Sequence, residues 1–335
     1  MRTLLAIVIL AALAWAGWWF VQSTARDRAM DAWLADRRAA GWVAEAADLR
    51  VRGFPNRVDT IITGLDLSDP AAGWAWKAEG LRILSLSYKP NHIIAVLDGE
   101  QVLSTPYETI RAESDRLRGS VIFRPSTRLE LDHMTFEIEN MRIAGDAGWT
   151  AGIGEAILAT RQAADRTPFA HDLAFNAESL MLPPEVLAGL RADGVLPAEI
   201  GPIALDATLV FDRPWDRHAV ETGNPALEEV AVRDLSLTWG KLDLRAHGTL
   251  GVDAEGFAEG RLDVRARNWE DMIAVAEAGG ALNSTLASAL RSGLGLLARF
   301  TGDRDVLEVP LDFAGGTARL GPIPLGPAPR LAQRG

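Results

Sequence analysis

The chain has 335 residues, 48% of them hydrophobic, enough apolar material for two ordinary domains or one large elongated one. Its formal net charge of −11 sets it against phosphate backbones, so nucleic acid is not an expected partner. It has no cysteine, which rules out disulfides, thiolate catalysis and cysteine-ligated zinc or iron–sulfur centres.

The N-terminus carries the strongest signal. Leu4 to Val21, "LLAIVILAALAWAGWWFV", has no charged residue. As a helix this run is roughly 27 Å long, close to the hydrocarbon thickness of a bilayer. Trp18, Trp19 and Phe20 stand at its far end, where an aromatic belt meets the interface. Arg2 precedes the run and favours a cytoplasmic N-terminus, which places the body on the other side of the membrane. A cleaved signal peptide is the rival reading, because Ala14-Trp15-Ala16 has the small-x-small form of a cleavage site. The Trp pair just beyond it makes a poor mature start, so residues 1–22 are read as a retained anchor. Residues 23–41 follow as a juxtamembrane helix, with Met30, Trp33, Leu34 and Arg37 at three- and four-residue steps and a stop near Gly41.

Beyond Gly41 the apolar period changes from helical to two. "RGFPNRVD", Arg52 to Asp59, reads as a tight turn in which Gly53 supplies unusual dihedrals, Pro55 fixes φ and Phe54 packs beneath. Its charged residues Arg52, Arg57 and Asp59 are also a candidate headgroup site. In "RLELDHMTFEIEN", Leu129 and Leu131 alternate with acids, and the apolar set then shifts by one place to Met134, Phe136 and Ile138. Such a slip predicts a bulge or turn near His133. Leu242, Leu244 and Ala246 share one strand face; Leu262, Val264 and Ala266 share another, and "DAEGFAEG" reads as the hairpin loop between them. Leu307, Val309, Leu311 and Phe313 repeat the pattern, one dry face and one wet face, as antiparallel sheets require.

Helices are predicted near 183–193, 269–278 and 281–300. The last carries a stripe of Leu282, Leu286, Leu290, Leu294, Leu297 and Phe300 over a face of Ser, Ala and Gly. It reads as the cover of an open sheet face, or as a helix touching lipid or a partner. The tail "GGTARLGPIPLGPAP" predicts a glycine hairpin at Gly315-Gly316 and an edge strand bracketed by Gly-Pro steps, carrying Leu320, Ile323 and Leu325. Candidate lipid or partner contacts are therefore Leu290, Leu294, Leu297, Phe300, Leu320, Ile323 and Leu325. A faint echo links Arg82–Tyr88 with Arg233–Trp239, and Ile200–Leu205 with Leu320–Leu325, as two uses of one strand-rich unit would. The fold class is mainly β with a few helices (α+β): an anchor, then an elongated, mostly antiparallel sheet body in two halves, 42–165 and 166–331.

No catalytic pattern is present: no H-E-x-x-H, P-loop, G-x-S-x-G or dinucleotide fingerprint. The five histidines are scattered, and His133 and His247 fall on solvent-facing strand positions. The densest polar cluster, "FDRPWDRH", offers Asp212, Asp216 and His218, but Pro214 breaks the strand geometry a metal site needs, and a solvated loop is the simpler reading. No cofactor, catalytic or metal residue is assigned.

Several of these segments belong together. The anchor, the Trp- and Arg-bearing helix ending in "AAGW", "RGFPNRVD", "GTLGVDAEGFAEGRLDVRARNWEDMI" and "GGTARLGPIPLGPAP" resemble bacterial domain-of-unknown-function family 2125 over nearly the whole chain. The later motifs are also similar to the C-terminal part of AsmA-like proteins. The resemblance implies an inner-membrane anchor, a periplasmic β-rich body and a non-catalytic role in envelope or lipid homeostasis, with phospholipid in an apolar β groove. The alternative is an anchored β scaffold that docks another envelope protein without binding lipid.

Overall fold

The computed structural model describes residues 1–164, 166–167, 169–190, 196–301, 305–321 and 323–332, without the side chains at 220–222, 297 and 299–301. By proximity the chain forms two compact units, Met1–Pro125 with Phe136–Gly148, and Ser126–Thr135 with Trp149–Gly335. The architecture is mainly antiparallel β with an apolar N-terminal helix and C-terminal helices, the class that the period-two patterning predicts.

The first unit opens with α1 (Arg2–Ala39), the one helix among the described residues long and apolar enough to cross a membrane. The anchor and the juxtamembrane segment form one continuous helix of 38 residues. Arg37 and Arg38 in its last turn complement the helix dipole, and Gly41, at φ +89°, releases the chain. Arg38 Nε then donates to Ala44 O at 2.7 Å and ties the helix end to the first strand.

An antiparallel meander follows: β1 (Val43–Arg52), β2 (Asp59–Asp69), β3 (Trp74–Leu86) and β4 (Lys89–Ser104), each paired with the next. The long β4 is shared, pairing near its start with β6 (Arg116–Phe123) and at its end with β5 (Thr109–Glu113), which pairs in turn with β7 (Leu131–Gly145). Short turns make this possible; at Asp69–Gly73 the aspartate side chain accepts the N–H groups of Ala71 and Ala72. Leu34 of α1 is 5% exposed and buries against Ala44, Ile62, Leu65, Leu67 and Ala78, with Met30 beside it. Full burial of one such leucine stabilises by about 1.5–3 kcal/mol, so the C-terminal part of α1 belongs to the core of its unit.

Two local expectations change here. β7 runs unbroken through His133, and the irregularity lies earlier, where Leu129 is exposed with φ +53° and precedes the strand instead of alternating within it. One of the three points where the chain passes between the units falls at Thr135/Phe136, inside the apolar slip.

The second unit continues with β8 (Thr150–Gln162) and β9 (Ala170–Met181), which pair. β9 also pairs with the two-residue β10 (Glu199–Ile200) and with β11 (Ile203–Phe211). From β11 the sheet runs in chain order through β12 (Leu227–Trp239), β13 (Leu242–Val252), β14 (Ala258–Arg267), β15 (Val306–Ala314), β16 (Thr317–Leu320) and β17 (Ile323–Pro327). The β13–β14 loop is the predicted hairpin, with Asp253 accepting the N–H groups of Glu255 and Phe257. Gly315 and Gly316, at φ +55° and +70°, form the predicted two-residue turn, a conformation that side chains resist. Leu320 ends β16, and Gly321 turns the chain into β17, which holds Ile323 and Leu325. Pro322 lies outside the described residues.

Helix α4 (Trp269–Ala278) matches its predicted span, and α5 (Ser284–Thr301) starts three residues late, after Asn283 accepts the N–H of Leu286. Helix α2 (Pro184–Gly189) ends well short of 193 because Leu190 already caps it; residues 191–195 lie outside the described residues. A further short helix, α3 (Arg217–Thr222), forms where a solvated loop was expected.

Candidate functional site

Three places gather the side chains with contact or chemical potential. The first joins α1 to two turns of its own unit. Gly53 has φ +107°, and a Cβ there would meet Arg57 Cβ at 2.6 Å and Arg57 O at 2.8 Å, so the turn demands glycine. Arg57 N–H donates to Gly53 O at 2.8 Å and closes it. Phe54 does not pack beneath this turn. It points outward, 55% exposed, edge-on to Trp19 at 5.3 Å and 5.9 Å from Phe20. Three indole N–H groups in α1 bond to the turns: Trp15 to Asn56 Oδ1 at 3.2 Å, Trp19 to Arg57 O, and Trp18 to Ser87 O at 3.3 Å. Gln22 Nε2 reaches the same Ser87 carbonyl at 2.9 Å. Of the candidate headgroup residues, Arg57 pairs with the buried Asp59 at 2.7 Å, and Arg52 is exposed beside them.

The second place is the C-terminal cover. Leu290 and Leu294 are each 3% exposed and pack with Trp269, Ile273, Ala287 and Leu307. Leu320, Ile323 and Leu325 are partly buried against the same cluster, so five of the seven candidate contacts meet in one core. The side chains of Leu297 and Phe300 lie outside the described ones. Because β14 and β15 pair directly, the α4–α5 segment between them lies over the sheet face and meets the dry side of both strands. A lipid or partner reaching Leu290 must displace this cover.

The third place is a half-open polar cleft of about 660 Å³ on strands β8, β9, β11 and β12. Arg233 dominates it. Its guanidinium holds Asp206 through two bonds, one of 2.5 Å, and Asp172 at 3.1 Å, and it also contacts Thr208. Thr208 Oγ1 donates to Asp172 at 2.8 Å, Arg161 reaches Asp172 at 3.3 Å, and Arg166 pairs with Glu229 at 2.6 Å. Three guanidiniums thus face three carboxylates, and the arrangement is a ladder of ion pairs on a wet sheet face. Desolvation alone would raise the Asp172 carboxyl, but the bonds from Thr208, Arg233 and Arg161 outweigh it and hold the group below the ordinary aspartate range. A carboxylate lowered by folding contributes stability that is complete above its unfolded value and is lost as pH falls through the folded one. Thermal stability should therefore decline below about pH 4. In Arg233→Ala that acid decline should be shallower, with a neutral-pH loss of about 1 kcal/mol or less, since the pairs are half-exposed. Melting curves from pH 3 to 7 check this; an unchanged acid slope in the variant would show that Asp172 owes nothing to Arg233.

The remaining polar candidates are engaged in structure. Asp216 is the N-cap of α3 and accepts the N–H groups of His218 and Ala219, while Asp212 accepts that of Ala226 at 2.8 Å. His133 and His247 stand at exposed strand positions, as their place in the alternation predicts, with Asp132 at 2.8 Å and Asp263 at 3.9 Å. Among the described residues no group of three or more His, Asp and Glu side chains converges as metal ligands do.

Sequence reading missed the junction between α1 and the turns. Its signal was divided between the aromatic run Trp15–Phe20 and the lone Phe54, more than 30 residues away in the chain, and nothing in either segment reports that they meet. No curated protein and no solved structure matches this chain. The model of one family does match, over residues 18–329, from the Trp18–Trp19 pair through the meander and the C-terminal cover to the last strand. The chain belongs to that family, described as an uncharacterized protein conserved in bacteria (DUF2125).

Proposed function

We propose that this chain is a non-catalytic protein of the bacterial envelope, held in the inner membrane by a retained single span in α1, with its β body in the periplasm serving envelope or lipid homeostasis. The observation that carries the reading is the state of α1. Leu4, Leu5, Ile7, Val8, Ile9, Leu10 and Leu13 are each at least 50% exposed, a continuous apolar surface that water does not tolerate and a bilayer does. The same helix is bound to the body from Trp15 onward, and Trp19 is only 8% exposed. Cleavage after Ala16 would remove Trp15 and its bond to Asn56, so the contacts favour retention.

A cysteine at Thr127, an exposed loop position, provides the test, since the native chain offers no competing thiol. A membrane-impermeant thiol reagent should label Thr127→Cys in intact spheroplasts. Labelling only after lysis would reverse the orientation, and a mature protein beginning at Gly17 would show that the span is removed.

One observation favours lipid as the ligand over protein docking alone. Ile83 and Ala95 are cross-strand partners, as are Ile93 and Val121, and all four lie on one face of β3, β4 and β6. They are half-buried, and they fall outside the cluster that α1 covers. This strip is the better candidate for an acyl chain than the α5 cover, where Leu290 and Leu294 are already enclosed. Stoichiometric phospholipid retained by the purified full chain after detergent exchange, and read by mass spectrometry, is the expected result. A lipid-free chain would leave the scaffold reading.

A further inference from the structure

The depth at which the two turns meet α1 has a consequence for the membrane reading, on which this inference rests. A helix rises about 1.5 Å per residue. Trp15, which holds Asn56, precedes Val21 by six positions, so the Gly53–Arg57 turn reaches, at Asn56, about 9 Å inside the end of the apolar run. If α1 spans, the turn cannot lie in bulk water above the bilayer. Tyr88, 6.4 Å from Trp15, reaches the same level.

The chemistry of both turns suits that depth. Backbone groups at membrane level must find partners within the protein. Here Arg57 N–H donates to Gly53 O, Ser87 N–H to Asn56 O, and Val58 N–H to Ser85 O. The Ser87 hydroxyl shares its one proton between Pro55 O and Asn56 O, each at 3.1 Å, and the Ser87 and Arg57 carbonyls accept from the α1 indoles. Four aromatic side chains stand on the outside, along with the exposed Asn56 and Arg57. Phe54 is 55% exposed, Tyr88 60%, Phe20 59% and Trp18 52%. Beside them stand the exposed cations Arg52 and Lys89. Aromatic tips flanked by cations, on turns closed by hydrogen bonds within the protein, match the boundary between acyl chains and anionic headgroups.

We propose that the Gly53–Arg57 and Ser87–Lys89 turns form a second, non-helical membrane contact, with Phe54 and Tyr88 seated at the acyl–headgroup boundary of the leaflet where the α1 span ends. The contact pins the first unit to the bilayer surface, so that α1 is not a free tether. The sheet edge carrying these turns is then held at the lipid surface.

Single cysteines at Phe54, Tyr88, Leu10 and Thr127 in the full chain accept an environment-sensitive fluorophore without background, because the chain has no native thiol. The labelled chains are reconstituted in vesicles of phosphatidylethanolamine and phosphatidylglycerol carrying lipids spin-labelled at shallow or deep acyl positions. Probes at Phe54→Cys and Tyr88→Cys should show blue-shifted emission and strong quenching by the shallow label. Leu10→Cys should be quenched by the deep label, and Thr127→Cys by neither. Water-like, unquenched emission at both Phe54→Cys and Tyr88→Cys, with Leu10→Cys still quenched, would sink this inference and leave the span intact. An unquenched Leu10→Cys would sink the span reading and this contact together. Two independent turn positions guard against one variant that misfolds.

Discussion

Leu290→Ala should lower the melting temperature of the detergent-purified chain by roughly 5–15 °C. Leu290 is 3% exposed and sits in the middle of the cluster formed by α4, α5, β14 and β15. Truncating a buried leucine removes its transfer free energy and leaves a cavity, at a cost of about 2–5 kcal/mol. In a unit of this size each kilocalorie lowers the melting temperature by roughly 2–4 °C. Ala287, at 0% exposure, shows that the helix lies close to its neighbours and has little room to collapse into the gap. Leu296→Ala is the control, because that side chain is 59% exposed on the same helix and should change stability little. Equal, small effects at both positions would mean that α5 does not cover the sheet in solution and would reopen its apolar stripe to lipid or a partner.

Deleting residues 318–331 should cause the chain to self-associate. β15 would lose the β16 residues that pair with Leu311, Asp312 and Phe313, leaving a row of unpaired N–H and C=O groups. Two apolar clusters would open at once. Ala318 and Ala328, 8% and 4% exposed, close the cluster around Leu250, Ala258 and Phe313, while Leu320, Ile323 and Leu325 complete the one beneath α5. The tail is also latched beyond its last strand, where Ala258 N–H donates to Pro329 O and Leu331 N–H to Gly256 O. In the native chain β17 is paired with β16 alone among the described pairings, and Pro324 and Pro327 stand on it without N–H groups to offer a further strand. Light scattering on the detergent-solubilised truncation, corrected for the micelle, should report oligomers where the full chain gives none. A truncated chain of native size and melting behaviour would show the tail to be dispensable.

Much of the local structure was legible because each element obeys a short-range rule. The Leu242–Ala246 and Leu262–Ala266 alternations marked the dry faces of β13 and β14, whose buried residues include Leu242, Ala246 and Ala266. Gly315-Gly316 specified its turn because few other residues tolerate two positive φ angles in succession. The Leu282–Leu294 repeat marked a helix with one apolar face. Errors came where a short polar signal competed with tertiary context. α3 forms because Asp216 can cap it, and β7 passes straight through His133, where the alternation suggested a break.

What the sequence determined by itself is the inventory: an uncharged span-length helix, strands with one apolar face each, two late helices, a proline-bracketed tail, and family membership over residues 18–329. The tertiary structure alone decided what covers each apolar face. Periodicity reports that a face is apolar, because the repeat of the backbone is local; it does not report the neighbour, which depends on register and loop closure over long separations. Thus Leu290 and Leu294 of α5, read as candidate lipid contacts, are enclosed against β14 and β15, with the tail strands packed against the same cluster. Phe54, read as the floor of a turn, projects outward beside Trp19 and Phe20, near the end of the helix's apolar run.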